Sequence, residues 1–101
     1  MNSQGLELEM RVEPVEIYSD ASNSAVLRHP QRTYPGVLIQ GDTLNELCGS
    51  LGGVIEQSKA NVSEETLLEM QEVHEHLCGL LTHYRNVLQA HGMSLPFVGA
   101  R

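Results

Sequence analysis

Residues 43–91 read TLNELCGSLGGVIEQSKANVSEETLLEMQEVHEHLCGLLTHYRNVLQAH, and this stretch decides the fold. Its apolar residues recur every three or four positions, which is the period of an amphipathic helix. The pattern breaks at Asn61-Val62-Ser63, so we predict helices over about 43–59 and 63–91 joined by a tight connection. Ser63 has the chemistry of an N-cap and Gly92 that of a C-terminal cap.

The first helix carries two further local signals. Thr43 and Glu46 have the spacing of a capping box, and Asp42 is an alternative N-cap residue. The glycines at 49, 52 and 53 each disfavour a helix interior by about 1 kcal/mol relative to alanine. They either let another backbone approach closely or mark a helix that is irregular or ends near Gly52.

Upstream of these helices, the sequence has the pattern of short strands. Residues 6–12 alternate apolar and charged side chains, and the phase slips by one at Glu13-Pro14, as a β-bulge would cause. Residues 25–28 and 37–39 are further short strands separated by turn residues, which favours an antiparallel meander. We place the strands between about 6 and 40.

These elements predict one α+β domain over residues 1–101. We expect a small antiparallel sheet of three or four strands, packed on one face by a two-helix antiparallel hairpin and followed by an apolar tail at 92–101. The side chains expected to point inward are Val15, Ile17, Val37, Ile39, Leu44, Leu47, Leu51, Ile55, Met70, Leu77, Leu81 and Leu88.

The composition excludes several classes of partner. The 101-residue chain has a formal net charge of −7 and only six Lys or Arg residues, so we expect neither nucleic-acid binding nor attachment to an anionic membrane. No apolar run approaches the ~18 residues that span a bilayer, and the N-terminus lacks a signal-peptide pattern. Cys48 and Cys78 are expected to be reduced, which predicts a cytoplasmic protein.

The second helix is too long and too apolar for its predicted surroundings. At about 1.5 Å per residue, the two helices are roughly 25 and 43 Å long. The apolar residues of the second helix cover close to half its circumference, whereas a helix on one surface needs an arc of about 100°. We predict a homodimer that buries part of residues 67–88. The alternative is a helix kinked near Gly79 and covered by the apolar tail.

The turn at 28–36 is the main candidate site. It holds two arginines, a histidine and a phenol in an otherwise acidic chain, and a helix N-terminus follows it, as in anion sites. Our hypothesis is that these groups hold a carboxylate or phosphate; the alternative is a rigid turn whose arginines pair with Glu13, Glu16 or Asp20. The candidate ligand-binding residues are Arg28, His29, Arg32, Tyr34 and Asp42.

No other pattern predicts chemistry. His74 and Cys78 share a helical face, but their surroundings do not complete a metal-ligand set, so we predict no metal and interpret His74 as a core histidine. No nucleophile or phosphate-loop motif occurs. We assign no catalytic residue and no cofactor.

Residues 25–44 are similar to the signature block of a family of small uncharacterised bacterial proteins. The family pattern is an arginine-rich turn followed by Pro-Gly-Val, an apolar residue, and Ile-Gln-Gly-Asp-Ser/Thr-Leu. The resemblance implies a bacterial cytoplasmic protein and no catalytic residue. The matching residues are Arg28, Pro30, Arg32, Pro35, Gly36, Gln40, Gly41 and Asp42.

Three functions remain open at this level. The first is a non-enzymatic interaction or regulatory protein that works as a dimer or with another protein partner. The second is a small anion- or metabolite-binding module built on the turn at 28–36. The third is a small enzyme that uses His29 as an acid or base, which requires a concave and water-shielded site.

Overall fold

The computed structural model describes residues 9–98 and confirms the α+β class. Three short strands precede two helices along the chain. The strands are β1 (Glu16–Ser19), β2 (Val26–Arg28) and β3 (Gly36–Val37), and the helices are α1 (Gly41–Ser58) and α2 (Glu64–Ala90). The chain divides into two compact units, with the boundary along the sequence between Gln40 and Gly41. We call them the sheet unit (residues 9–40) and the helical hairpin (residues 41–98).

The sheet unit is an antiparallel meander with strand order β1-β2-β3, as predicted. Ile17 pairs with Leu27, and Leu27 pairs in turn with Gly36. The register of β1 against β2 shifts between Ile17 and Ser19. The predicted bulge at Glu13-Pro14 is wrong, because β1 begins at Glu16 and these two residues lie outside the sheet.

The predicted strand at 6–12 is wrong where it can be checked. Residues 9–12 form no strand, and residues 6–8 lie outside the described part of the chain. Met10 and Val12 are 75% and 86% exposed. Pro14 has no N–H to donate to a ladder, and alternation alone does not make a strand without a partner strand beside it.

The prediction that the sheet contributes inward apolar residues is also wrong. Val15, Ile17, Val37 and Ile39 are all exposed. Strands of four, three and two residues present too few side chains on either face to enclose a core, so period-2 patterning in them does not translate into burial.

The helical hairpin is antiparallel and has a small apolar core. The start of α1 lies against the end of α2, where a Cβ on Gly41 would overlap the ring of Tyr84. Leu44, Cys48 and Leu81 form the buried cluster, and Ile55 is buried near the other end of α1. Half-buried side chains that pack on the cluster are Leu77, Cys78, Tyr84 and Phe97. Leu47, which we predicted to point inward, is exposed.

Helix α1 begins two residues earlier than predicted and continues through its glycines. Because it starts at Gly41, Thr43 lies inside the first turn and cannot act as the predicted cap. Asp42 Oδ1 accepts a hydrogen bond from Thr43 N at 2.8 Å. A Cβ on Gly52 would lie 3.2 Å from His74 Nε2, so this glycine admits a side chain of α2 rather than a second backbone.

Both predicted caps of α2 are confirmed. Ser63 Oγ accepts a hydrogen bond from Thr66 N at 3.1 Å. At the other end, Gly92 has φ +69°, and Met93 N donates to Leu88 O at 2.9 Å, which is the Schellman arrangement. With 27 residues against 18, α2 is about 40 Å long and exceeds α1 by roughly 13 Å.

Candidate functional site

The turn at 28–36 joins two paired strands and is held by its own backbone. Strand β2 ends at Arg28 and β3 begins at Gly36. Arg32 N donates to His29 O at 3.0 Å, which closes the turn after Pro30. Because Val26 pairs with Val37, both ends of the turn are anchored in the sheet.

Arg28 is a structural residue of the sheet unit. Its Nε donates to Glu16 Oε1 at 2.6 Å, and the Tyr18 hydroxyl donates to the same oxygen at 2.7 Å. Its Nη1 donates to Arg32 O at 3.0 Å. Arg28 therefore ties β2 to β1 and to the turn, which is the alternative that we considered for the arginines.

This arrangement also shifts two pKa values. The Arg28 guanidinium, followed by the Tyr18 phenol, lowers the pKa of Glu16 from its usual 4.5 to about 2. The Glu16 carboxylate in turn raises the pKa of Arg28 above its ordinary value. Both side chains are partly exposed, 33% for Arg28 and 54% for Glu16, so solvent screens the pair.

The other turn residues line an open groove in the sheet unit. Its volume is about 480 Å³. The sequence placed His29, Arg32 and Tyr34 together, and all three line the groove. The remaining lining residues are Leu27, Thr33, Gly36, Val37 and Leu38.

The sequence analysis missed the apolar floor of this groove. Leu27 and Leu38 were interpreted as strand residues, and no ligand role was considered for them. No local signal in the sequence reveals the floor, because it depends on the strand pair, in which Gly36 faces Leu27 and leaves the space in front of it open. Asp42, the last predicted site residue, lies in the first turn of α1.

His74 is half-buried and has hydrogen-bonding partners, as expected of a satisfied histidine. Its Nε2 lies 3.1 Å from Cys48 O and 3.5 Å from Cys78 Sγ. An Nε2–H proton donates to the carbonyl oxygen, so His74 links α2 to the backbone of α1. Cys48 and Cys78 form no disulfide within residues 9–98, and that part of the chain contains no cluster of three metal-binding side chains.

Helix α2 presents a second candidate surface on its outer side. Val73 is 57% exposed and Leu80 is 47% exposed, although both belong to the apolar set that defined the helix. Phe97 of the tail contacts the core cluster. Its ring centroid lies 5.6 Å from Cζ of the Arg85 guanidinium. The tail thus covers part of the hairpin and leaves Val73 and Leu80 in solvent.

A comparison with protein families gives a match over most of the chain. Residues 10–97 match a family of unknown function, DUF6959. No curated protein and no solved structure matches the chain. Among the described residues, no helix has the length and apolarity required to cross a membrane.

Proposed function

The chain belongs to DUF6959, a family of unknown function, and from its own residues we propose that it is a non-enzymatic interaction protein that works as a homodimer through α2. The observation that carries this proposal is the exposure of Val73 and Leu80. Exposed apolar side chains that continue a core face are typical of protein interaction sites.

The exposed residues belong to a regular stripe, which we call the outer stripe. Its members alternate spacings of three and four along α2, the pattern of the a and d positions of a coiled coil. The outer stripe adjoins the hairpin core, since Leu77 and Tyr84 also contact the core cluster. It consists of Met70, Val73, Leu77, Leu80, Tyr84 and Val87.

A second copy of this chain is the occupant that best suits the outer stripe. The hairpin core alone is small, with Leu44, Cys48, Ile55 and Leu81 as its buried apolar residues within 41–98. Two hairpins packed through α2 would form a four-helix bundle with a shared core. Fully burying one Val or Leu side chain contributes about 1.5–3 kcal/mol, and a symmetric dimer gains each contact twice.

The distribution of charge along α2 favours an antiparallel pair. Every acidic residue of the helix lies in 64–75, and residues 76–91 contain none. The later half carries Arg85 and three histidines, His76, His83 and His91. Parallel helices would bring two acidic halves together, whereas antiparallel helices place each acidic half beside the half that carries the basic residues.

The spacing of the outer stripe fits the same antiparallel arrangement. A dyad between Leu77 and Leu80 places Val73 opposite Tyr84 of the partner subunit. The same dyad places Met70 opposite Val87 of the partner subunit. Each a position then faces a d position, so that no stripe residue is left facing a polar side chain.

The alternatives have less support. Helix α2 is one helix from Glu64 to Ala90, and the tail leaves Val73 and Leu80 of the outer stripe exposed, so a monomer would keep these two side chains in water. An enzyme based on His29 requires a water-shielded site, whereas His29 is exposed on an open groove. If a different protein partner bound the outer stripe, the purified chain on its own would be a monomer.

Sedimentation equilibrium of the purified chain tests the proposal. We expect a dimer at micromolar concentration. Leu80→Glu should weaken the dimer by about a hundredfold or more, because a carboxylate would be buried without a partner. The helical circular dichroism of this variant should be unchanged, because Leu80 lies outside the hairpin core.

Leu68 provides a matched control on the same helix. It is 61% exposed and lies away from the outer stripe, so Leu68→Glu should leave the dimer intact. A wild-type monomer at these concentrations, or equal weakening by the two substitutions, would contradict the proposal.

The cellular setting that we propose is a bacterial cytoplasm. The observation in its favour is that Cys48 and Cys78 form no disulfide within residues 9–98, which suits a reducing compartment. Thiol alkylation in denaturant directly after cell lysis should modify both cysteines. Recovery of an oxidised pair would argue against the cytoplasm.

A further inference from the structure

The groove of the sheet unit combines an apolar floor with a cationic rim. Leu27 and Leu38 supply the floor, and Arg32 and His29 belong to the turn beside it. A volume of about 480 Å³ lies within the range of roughly 300–1,000 Å³ that small-ligand sites occupy.

Arg32 differs from Arg28 in what its side chain does. The backbone of Arg32 is fixed at both its N–H and its carbonyl oxygen. Its guanidinium, in contrast, has no hydrogen bond or ion pair to any residue of the described chain. The sheet unit therefore holds a positioned arginine whose five donors remain open to a ligand.

The surroundings of Arg32 favour a negative ligand despite the acidic chain. Residues 21–41 contain no Asp or Glu, and Glu16 is already paired with Arg28. His29 Nδ1 accepts a hydrogen bond from Gln31 N at 3.2 Å, so the neutral ring carries its proton on Nε2. That N–H is a second donor beside the groove.

We propose that this groove binds a small monocarboxylate with an apolar body, whose carboxylate pairs with Arg32 and whose body lies on Leu27 and Leu38. Arginine and carboxylate form paired, charge-assisted hydrogen bonds. Inorganic phosphate fits less well, because it has no apolar body to lie on the floor and its double charge would face a single open guanidinium.

Gly36 is the residue that keeps the groove open. It faces Leu27 across the β2–β3 pair, and a Cβ built on it would meet no atom within 4 Å. Its φ is not positive, so the backbone does not require glycine there. A valine at this strand position would fill the space beside Leu27 while suiting the strand.

Titration of the 101-residue chain with octanoate, followed by amide NMR, tests this proposal. We expect saturable shifts at 27–38 at millimolar or lower octanoate. Octanol lacks the carboxylate and inorganic phosphate lacks the apolar body, so each should bind about tenfold more weakly than octanoate.

Two variants identify the groups responsible. Arg32→Gln should weaken octanoate binding by about tenfold and leave octanol binding unchanged. Gly36→Val should abolish binding of both probes, while the amide shifts of the helical hairpin stay as in the wild type. Arg11→Gln, which removes an arginine paired with Glu13 in the same unit, is the control and should bind octanoate normally.

Three results would overturn the proposal. They are an absence of shifts in this groove, wild-type affinity in Gly36→Val, or phosphate binding as tight as octanoate binding. None of them bears on the dimer, since the groove and the outer stripe share no residue.

Discussion

Different interactions stabilise the interior of the helical hairpin and the strands of the sheet unit. In the hairpin, Leu44, Cys48 and Leu81 are buried in one cluster. In the sheet unit, no side chain of residues 9–40 is buried, and the strands depend on backbone hydrogen bonds and on the Arg28–Glu16–Tyr18 contacts. Core substitutions should therefore act on the hairpin, whereas pH and salt should act on the sheet unit.

The largest expected effect comes from emptying the hairpin core. Leu81 is 1% exposed, so Leu81→Ala should lower the free energy of unfolding by about 2–5 kcal/mol. Urea unfolding followed by helical circular dichroism at one fixed protein concentration measures this. Leu68→Ala, at a position 61% exposed, should change it by about 0.5 kcal/mol or less. Equal effects would show that the hairpin has no core of the kind described.

A second, intermediate effect concerns two glycines of α1. Gly41→Ala would push a methyl group into the Tyr84 ring and should destabilise the hairpin by about 1–3 kcal/mol. Gly53→Ala meets open space and should stabilise it by about 1 kcal/mol through helix propensity. The same urea experiment compares the two variants, and a shift of the same sign in both would contradict the described packing.

The smallest expected effect lies in the sheet unit and depends on pH. The pKa of Glu16 falls to about 2 in the folded chain, below its unfolded value. The contribution of Glu16 to stability is thus complete above about pH 4.5 and is lost as the pH falls towards 2.

The carboxyl-carbon NMR shift of Glu16 measures this pKa. Its midpoint should lie near pH 2 in the wild type and return towards 4.5 in Arg28→Gln. High salt should raise the wild-type midpoint, because the pair is partly exposed. A wild-type midpoint at the ordinary value would mean that the ion pair does not order these strands.

The sequence predicted the helical hairpin better than the sheet unit, for a physical reason. Helices carry their hydrogen bonds internally, so the apolar period and the capping residues Ser63 and Gly92 were sufficient. A strand exists only with its neighbour, so the alternation at 9–12 predicted a strand that the structure does not form. The register shift beside Tyr18 has no local signal in the sequence.

The sequence likewise predicted only part of the candidate site. The composition of the turn identified His29, Arg32 and Tyr34. It did not separate Arg28 from Arg32, because the difference depends on Glu16, twelve residues away from Arg28 in sequence. The role of Gly36 likewise depends on the pairing of β2 with β3, which sequence patterning does not specify at this length.

The most direct test of the account is an isotope-filtered NOE experiment on a mixture of labelled and unlabelled chains. Within one helix, Val73 and Tyr84 lie roughly 16 Å apart at about 1.5 Å per residue, too far for an NOE. We predict an intermolecular NOE between the Val73 methyl groups and the Tyr84 ring. Contacts of Val73 only with Val73 of the partner subunit would contradict the antiparallel arrangement, and an absence of intermolecular contacts along α2 would contradict the dimer itself.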